Sequence, residues 1–149
     1  MSKLWSLKAL AVAAGGALLA GAAWAQQVTL RVHHFLPAQA TIPRLAIEPW
    51  ARKIEAESGG RVKVQVFPAM QMGGAPAQLY DQARDGVADV TWTVLGYTPG
   101  RFQRMEVFEI PFIAPSHERS AEVTSKAAWD FAQKFAAEEF KDVKLLAIH

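Results

Sequence analysis

The sequence predicts an α/β fold in which a mostly parallel sheet is flanked by helices. Segments rich in β-branched and apolar residues alternate along the chain with segments whose apolar residues recur at helical spacing. The helical segments are long enough to carry the chain back across a sheet, which is the connection that joins parallel strands. The chain has 149 residues, a length typical of one domain, and contains no internal repeat or low-complexity tract.

The charged residues are distributed unevenly, and their distribution excludes several classes of protein. The chain carries 16 Lys+Arg and 14 Asp+Glu, a formal net charge of +2. Residues 1–25 contain two lysines and no acidic residue, so the remainder holds 14 basic and 14 acidic residues and is neutral. We therefore expect no nucleic acid partner, because such partners require a basic surface. The absence of cysteine excludes disulfide bonds and cysteine-ligated metal sites.

Residues 1–25 have the layout of a secretory signal peptide. Two lysines begin the segment, an apolar run follows over residues 9–19, and the motif Ala-Trp-Ala supplies the small-residue pattern of a cleavage site. We place cleavage after Ala25 and expect the mature chain, residues 26–149, in the periplasm. An uncleaved anchor is the alternative, but the apolar run is too short to span a bilayer and nothing after Ala25 continues it.

The first half of the mature chain predicts a strand, a helix and a second strand. Residues 28–35 (VTLRVHHF) are typical of a strand. Thr41 is placed to cap a helix that ends at residues 58–60 (SGG), where glycine can take left-handed geometry. Pro49 lies inside this helix and is expected to kink or restart it, because proline removes one backbone donor. Residues 61–67 alternate polar and apolar side chains and predict the second strand.

The second half predicts two further helices and two further strands. A short helix over residues 76–84 is closed by Gly86, and residues 88–95 (ADVTWTVL) follow as a buried third strand. Ser116 is predicted to cap a long helix, and residues 143–149 (VKLLAIH) predict a last strand. The positions expected to face the core after the second strand are Leu79, Ala83, Val87, Val123, Ala127, Phe131 and Phe135.

The residue pattern gives little support for a metal site or a catalytic site. His33 and His34 are neighbours in a strand, so their side chains point to opposite faces and cannot converge on one ion. No serine lies in a G-x-S-x-G turn, and no convergent acid and base set is visible. Gly73 and Gly74 precede a helix and could cradle an anion, but they lack the phosphate-binding spacings, and a tight turn is favoured. We predict a protein that is not an enzyme and needs no cofactor.

The ends of the first and third predicted strands are where we look for a ligand. In parallel α/β sheets, ligands bind outside the carboxyl ends of the strands. Those ends carry Phe35, Trp92 and Tyr97. The alternative is that Phe35 and Trp92 only fill the core. Arg101 and Arg104 could meet an anion, although exposed arginines are usually only solvated.

Several motifs, in this order and spacing, resemble the solute-binding proteins of TRAP transporters of the DctP type. They are LRVHHFLPAQ, GGRVKVQVFP, DGVADVTW, GYTPGRF and EVFEIPF. The resemblance implies a lobe of the type-II periplasmic binding fold, in which two α/β lobes close on a small organic acid or related solute. It also implies that the solute passes to the membrane permease subunits of a transporter driven by an ion gradient.

The same resemblance indicates how much of the two-lobe fold the chain contains. It implies that residues 26–149 form the first lobe only, and we expect the chain to be truncated before the second lobe. In the family, an arginine of the second lobe pairs with the ligand carboxylate, and no residue here matches it. Two alternatives stay open: an inactive gene fragment, and an exported sensor or enzyme domain on the same α/β scaffold.

The resemblance also places the ligand contacts at the two strand ends. Trp92 or Tyr97 would supply an apolar wall, and polar side chains such as Gln39 would supply hydrogen bonds that select substituents on the ligand. Val94 and Leu95 stand where the family often has a polar or acidic group, which favours a less polar ligand. The complete predicted set is His34, Phe35, Leu36, Gln39, Thr41, Trp92, Val94, Leu95, Gly96 and Tyr97.

Overall fold

The computed structural model of the protein describes residues 27–114 and 120–149. The predicted signal peptide and Ser116, the predicted cap of the long helix, lie outside these residues. Within the two described ranges, no helix is long and apolar enough to cross a membrane.

The centre of the fold is a sheet of three parallel strands. β1 (Val28–His34) lies between β2 (Val62–Phe67) and β3 (Val90–Trp92). The register runs over six residue pairs between β1 and β2 and over three between β1 and β3, ending at His34 opposite Trp92. The last three residues of β1 are buried. The predicted parallel α/β architecture is confirmed, and so is the alternation of exposed and half-buried side chains along most of β2.

A helical connection made of two segments joins β1 to β2. A π-helical segment (Pro43–Ile47) runs directly into helix α1 (Glu48–Glu57). Pro49 lies in the first turn of α1, at the point where the π-helical pattern gives way to an α-helical one, so the predicted restart at this proline is confirmed. Thr41 is already helical rather than a cap, because the Ala40 carbonyl accepts the first helical hydrogen bond.

The buried side of this connection fixes it to the rest of the lobe. Pro43, Ile47 and Ala51 follow one another at intervals of four residues, and all three are buried. The Glu55 carboxylate accepts a hydrogen bond from the Val64 N–H (3.0 Å), which ties α1 to β2.

Helix α2 (Leu79–Arg84), preceded by a short 3-10 turn, connects β2 to β3. Leu79 is fully buried, as predicted. The prediction that Val87 faces the core is wrong, since its side chain is 44% exposed. The chain turns at Gly86, where φ is +73°, so Val87 lies beyond the helix. Ala88, which is fully buried, takes the core position instead.

β3 is shorter than the predicted strand over residues 88–95. Its neighbour β1 ends at His34, opposite Trp92, and beyond that pair β1 offers no further residue for a ladder. The chain instead forms a 3-10 turn over Leu95–Tyr97. The length of β3 is therefore set by the end of β1 and not by the residue types in β3 itself.

A salt bridge between Arg31 and Asp89 fixes the register of β3 on β1. The Asp89 carboxylate accepts hydrogen bonds from the Arg31 backbone N–H (2.7 Å) and from its Nε (3.0 Å). The same guanidinium donates from Nη2 to the Gly86 carbonyl (2.9 Å). The hydrogen bond from the Arg31 side chain, together with that from its backbone, lowers the pKa of the Asp89 carboxyl. The LRVHH motif, which contains Arg31, and the DGVAD motif, which contains Asp89, are thus joined by one contact.

Helix α3 (Ser120–Glu139) forms a second core against the 3-10 turn Met105–Glu109. The predicted positions Val123 and Ala127 are wrong, since both are exposed. The buried positions lie one residue further along, because alanines there allow the large side chains of the preceding loop to approach the helix closely. The buried cluster consists of Phe102, Met105, Ala128, Ala132 and Phe140.

The last predicted strand, residues 143–149, is wrong as a strand. The segment has no regular secondary structure and joins no ladder among the described residues. Val143, Leu145 and Ile148 instead pack against the cluster beneath α3. The apolar pattern of this segment reflects that packing.

The Arg31–Asp89 contact predicts a pH-dependent stability. Replacing Asp89 with Asn removes the charge that Arg31 binds, and we expect the free energy of unfolding at pH 7 to fall by about 1 kcal/mol. Because the pKa of Asp89 is lower in the folded chain, the contact stabilises fully above about pH 5 and less as pH falls through the folded pKa. Urea unfolding at pH 7 and at pH 3 should therefore show a difference between native chain and variant that shrinks at the lower pH.

Asp130→Asn is the matched control for this prediction. Asp130 pairs with Lys126 across one turn of α3, and both side chains are more than half exposed. Such a pair contributes little, so this variant should unfold like the native chain. A similar loss in both variants would contradict a special role for Asp89.

Candidate functional site

Three aromatic side chains meet at the carboxyl edge of the sheet. Phe35 directly follows β1, Trp92 is the last residue of β3, and Tyr97 lies in the turn after β3. The Phe35 ring lies 5.3 Å from the Trp92 ring and 5.2 Å from the Tyr97 ring, measured between centroids. These separations are typical of favourable aromatic pairs. We call this group of three residues the aromatic edge.

The aromatic edge remains partly open to solvent. Phe35 and Trp92 are half-buried, and Tyr97 is 43% exposed. Val94, beside them in sequence, is 39% exposed. Rings that only filled a core would be covered on all sides, so this partial exposure leaves an apolar surface on which another molecule can lie.

His149 extends the aromatic edge, and sequence reasoning missed it. The Trp92 Nε1–H donates a hydrogen bond to His149 Nε2 (2.9 Å), and the two rings are nearly parallel at an angle of 13°. The contact joins two residues 57 positions apart. No local pattern in the sequence signals such a pair.

The turn after β3 holds Tyr97 in place. The Tyr97 N–H donates to the Val94 carbonyl (3.1 Å), and the Thr98 hydroxyl and N–H both donate to the Leu95 carbonyl. Gly96 lies so close to the Glu109 carboxylate that a Cβ at this position would overlap its oxygens. The sequence did not single out Glu109, which brings a negative charge beside the aromatic edge.

His34 is placed differently from its neighbours in the predicted set. Its side chain is fully buried, and among the described residues neither ring nitrogen has a hydrogen-bond partner. Burial first, and the proximity of His33 second, lower the pKa of His34, so its imidazole is neutral near pH 7. In this conformation His34 presents no surface to a ligand, and direct contact with one remains a prediction.

Three further predicted contacts follow β1 in the sequence. Gln39 and Thr41 are exposed, in the turn and first helical residues that follow β1, and Leu36 is half-buried. Within the described part of the chain, no hydrogen bond or ring contact links Gln39 or Thr41 to the three rings. Their role in binding stays a prediction.

The two arginines that could meet an anion already have acidic partners. Arg101 pairs with Asp81 (3.0 Å) and lies over the ring of Tyr80. Arg104 pairs with Glu138 (2.7 Å). Neither is available as the principal partner of a ligand carboxylate without giving up its present contact.

The glycine pair at residues 73–74 is a tight turn. Gly73 and Gly74 have φ of +84° and +86°, a region that other residues rarely adopt. The Gly73 N–H donates to the Met70 carbonyl (2.8 Å), so it does not point outward toward an anion. The turn interpretation favoured by the sequence is confirmed.

Comparison with known proteins assigns the family. Residues 32–149 match the model of the DctP family, bacterial extracellular solute-binding protein family 7. The chain is 33% identical over 141 residues to the outer membrane transporter protein TsaT of Comamonas testosteroni, a match that covers 93% of this chain and 40% of TsaT. The chain therefore belongs to the DctP family.

Solved structures agree with this assignment. A TRAP solute-binding protein from Rhodoferax ferrireducens, in complex with copurified benzoate, is 49% identical and superposes with a TM-score of 0.74. A marine metagenome TRAP solute-binding protein specific for aromatic acid ligands, in complex with 3-hydroxybenzoate, is 48% identical with a TM-score of 0.76. The matches cover 81% and 82% of this chain, but only 36% and 37% of the two solved chains.

The two ring contacts of Phe35 are expected to contribute measurably to the free energy of unfolding. Phe35→Leu keeps an apolar side chain but removes both ring pairs. Since such a pair contributes about 0.5–1.5 kcal/mol beyond its buried area, the variant should lose about 1–3 kcal/mol of unfolding free energy. Phe112→Leu is the control, because Phe112 is completely exposed and should lose less than about 0.5 kcal/mol. Equal losses in urea unfolding would show that the ring pairs do not stabilise the edge.

Proposed function

We propose that this chain forms the first lobe of the periplasmic solute-binding component of a TRAP-type transporter, and that the solute is an aromatic carboxylate. The single observation that carries the proposal is the aromatic edge, formed by Phe35, Trp92 and Tyr97 at the carboxyl ends of parallel strands. The relatives from Rhodoferax ferrireducens and the marine metagenome, crystallised with benzoate and 3-hydroxybenzoate, support the same class of solute.

The aromatic edge suits the ring of such a solute. An aromatic ring gains from offset or edge-to-face contact with other rings, in addition to the removal of apolar surface from water. Val94, which is 39% exposed, continues the apolar surface, whereas Leu95 packs against the cluster beneath α3. Neither side chain carries a charge that would favour an amino group. Gln39 and Thr41 are exposed just after the first strand, and in this proposal their amide and hydroxyl groups select substituents on the solute.

The carboxylate of the solute requires a second wall. The two candidate cations, Arg101 and Arg104, are already paired, and the Glu109 carboxylate beside Gly96 repels an anion. The family resemblance assigns the carboxylate partner to an arginine of the second lobe. We therefore propose that this chain holds the apolar ring and that the acidic group faces the opposite lobe.

Export and delivery complete the proposed role. Residues 1–25 would direct the chain across the membrane and be removed after Ala25, leaving the lobe in the periplasm. The loaded protein would pass its solute to the permease subunits and perform no chemistry on it. The solute would therefore be released chemically unchanged.

Benzoate binding tests the proposal. Because one lobe covers only part of a ligand, the chain alone should bind benzoate weakly, and the chain continued by the second lobe of the Rhodoferax ferrireducens relative should bind it more tightly. In that fusion, Trp92→Ala should weaken binding about tenfold, which is about 1.4 kcal/mol. Calorimetric titration measures both affinities.

Trp129→Ala is the matched control for Trp92→Ala. Trp129 is also half-buried, but it lies on α3, and among the described residues no ring contact joins it to the aromatic edge. Its replacement should change benzoate affinity less than about twofold. Equal effects of the two variants would assign Trp92 to the core. Failure of the fusion to bind benzoate or 3-hydroxybenzoate at all would overturn the proposed function.

A further inference from the structure

His33 lies at the centre of a buried hydrogen-bond network that binding does not explain. The side chain is fully buried on the face of the sheet opposite His34. Its Nδ1 lies 2.6 Å from Gln82 Oε1, and its Nε2 lies 3.4 Å from the Met72 N–H nitrogen. Gln82 in turn donates from Nε2 to the Gly73 carbonyl (3.0 Å). One strand, one helix and one loop therefore meet at this imidazole.

The partners determine which nitrogen of His33 carries the proton. A backbone N–H can only donate, so Nε2 of His33 must accept from Met72. The amide NH₂ of Gln82 is used by Gly73, which leaves its oxygen to accept from Nδ1–H of His33. Both ring nitrogens of His33, and the oxygen and nitrogen of the Gln82 amide, thereby have partners when Nδ1 of His33 carries the proton and Nε2 accepts.

The loop held by this network is conformationally strained. Ala69 and Met70 have φ of +51° and +58°, values that cost energy for residues other than glycine. Gly74 approaches Gln82 so closely that a Cβ would fall 2.8 Å from its Nε2. Such a conformation persists only where the surroundings over-determine it, and the contacts of His33 and Gln82 supply that constraint.

The same loop is attached to the residues that flank Phe35. The Ala69 N–H donates to the Leu36 carbonyl (3.0 Å), and the Met70 N–H donates to the His34 carbonyl (3.1 Å). Residues 33–36 are thus joined to residues 69–73 by three direct hydrogen bonds, and by a fourth through Gln82. Movement of this loop must move the backbone on both sides of the central ring of the aromatic edge.

We infer that His33 is a positioning residue, which with Gln82 clamps the loop over residues 68–74 and so fixes the placement of Phe35 in the aromatic edge. The contribution to ligand binding rests on the proposed function, whereas the effect on the loop and on the Phe35 ring does not. His33 itself is buried and touches no solute.

NMR spectroscopy on the purified chain tests this inference with His33→Phe, which keeps a planar ring and removes both nitrogens. The Met72 amide should exchange with solvent at least about tenfold faster relative to the amides of β1, because its acceptor is lost. Contacts between the Phe35 and Tyr97 ring protons should weaken. In the native chain, the His33 nitrogens should show a protonated Nδ1 and an unprotonated Nε2.

Gln82→Glu distinguishes the contact of Gln82 with His33 from its contact with Gly73. A carboxylate still accepts from His33 but cannot donate to the Gly73 carbonyl, so the Nδ1–H signature should persist while the loop amides exchange faster. Ala128→Gly is the control, since it destabilises α3 without touching the loop. It should leave the ratio of Met72 to β1 exchange rates unchanged.

Three results would overturn the inference: unchanged relative exchange of Met72 in His33→Phe, a His33 ring protonated at Nε2 instead of Nδ1, or a loosened loop with the Phe35–Tyr97 contact intact. Benzoate titration of the fusion with the second lobe supplies a separate readout, in which His33→Phe should weaken binding at least about threefold. If the unsubstituted fusion binds no aromatic acid, the proposed function fails, and the exchange and ring-contact measurements still decide the clamp.

Discussion

The pairing of β3 with β1, fixed by Arg31 and Asp89, is the constraint on which the rest of the lobe depends. β3 has only three residues in the ladder, so its backbone alone specifies the register weakly. A shift by one residue would turn Trp92 to the other face of the sheet and away from Phe35. The charged contact, made with both the backbone and the side chain of Arg31, opposes that shift. This pair, which lies outside the aromatic edge, thus helps to place Trp92 beside Phe35.

The proposed function assigns to this chain only one of two tasks that are often combined in one pocket. Its carboxyl edge offers aromatic and apolar surface, while Arg101 and Arg104 are held in ion pairs with residues of the helices. Apolar contact is non-directional and tolerant of position, whereas recognition of a carboxylate by a guanidinium demands alignment. Under the proposed function, an aromatic solute would contact this chain through its ring, and recognition of its carboxylate would depend on the second lobe.

Features determined by neighbouring residues were predictable from the sequence, and features determined by distant residues were not. The alternation along β2 and the restart at Pro49 follow from local chemistry, and both are confirmed. The end of β3 depends on where β1 stops, and the buried face of α3 depends on the loop that packs against it. At the candidate site, the rings of Phe35 and Trp92 could be placed from strand ends alone. The contact between His149 and Trp92 joins residues 57 positions apart, and no local sequence pattern predicts such a contact.

The exposed segment after the Met105–Glu109 turn has a consequence for handling the protein. Ile110 and Ile113 are about half exposed, and Phe112 is completely exposed with a left-handed backbone. Adjacent apolar side chains in water favour association between copies as concentration rises. The weak binding proposed for this chain alone would be best observed in concentrated solution, where such association would also be strongest. Association through Phe112 and its neighbours would therefore limit the concentration at which binding by this chain alone could be measured.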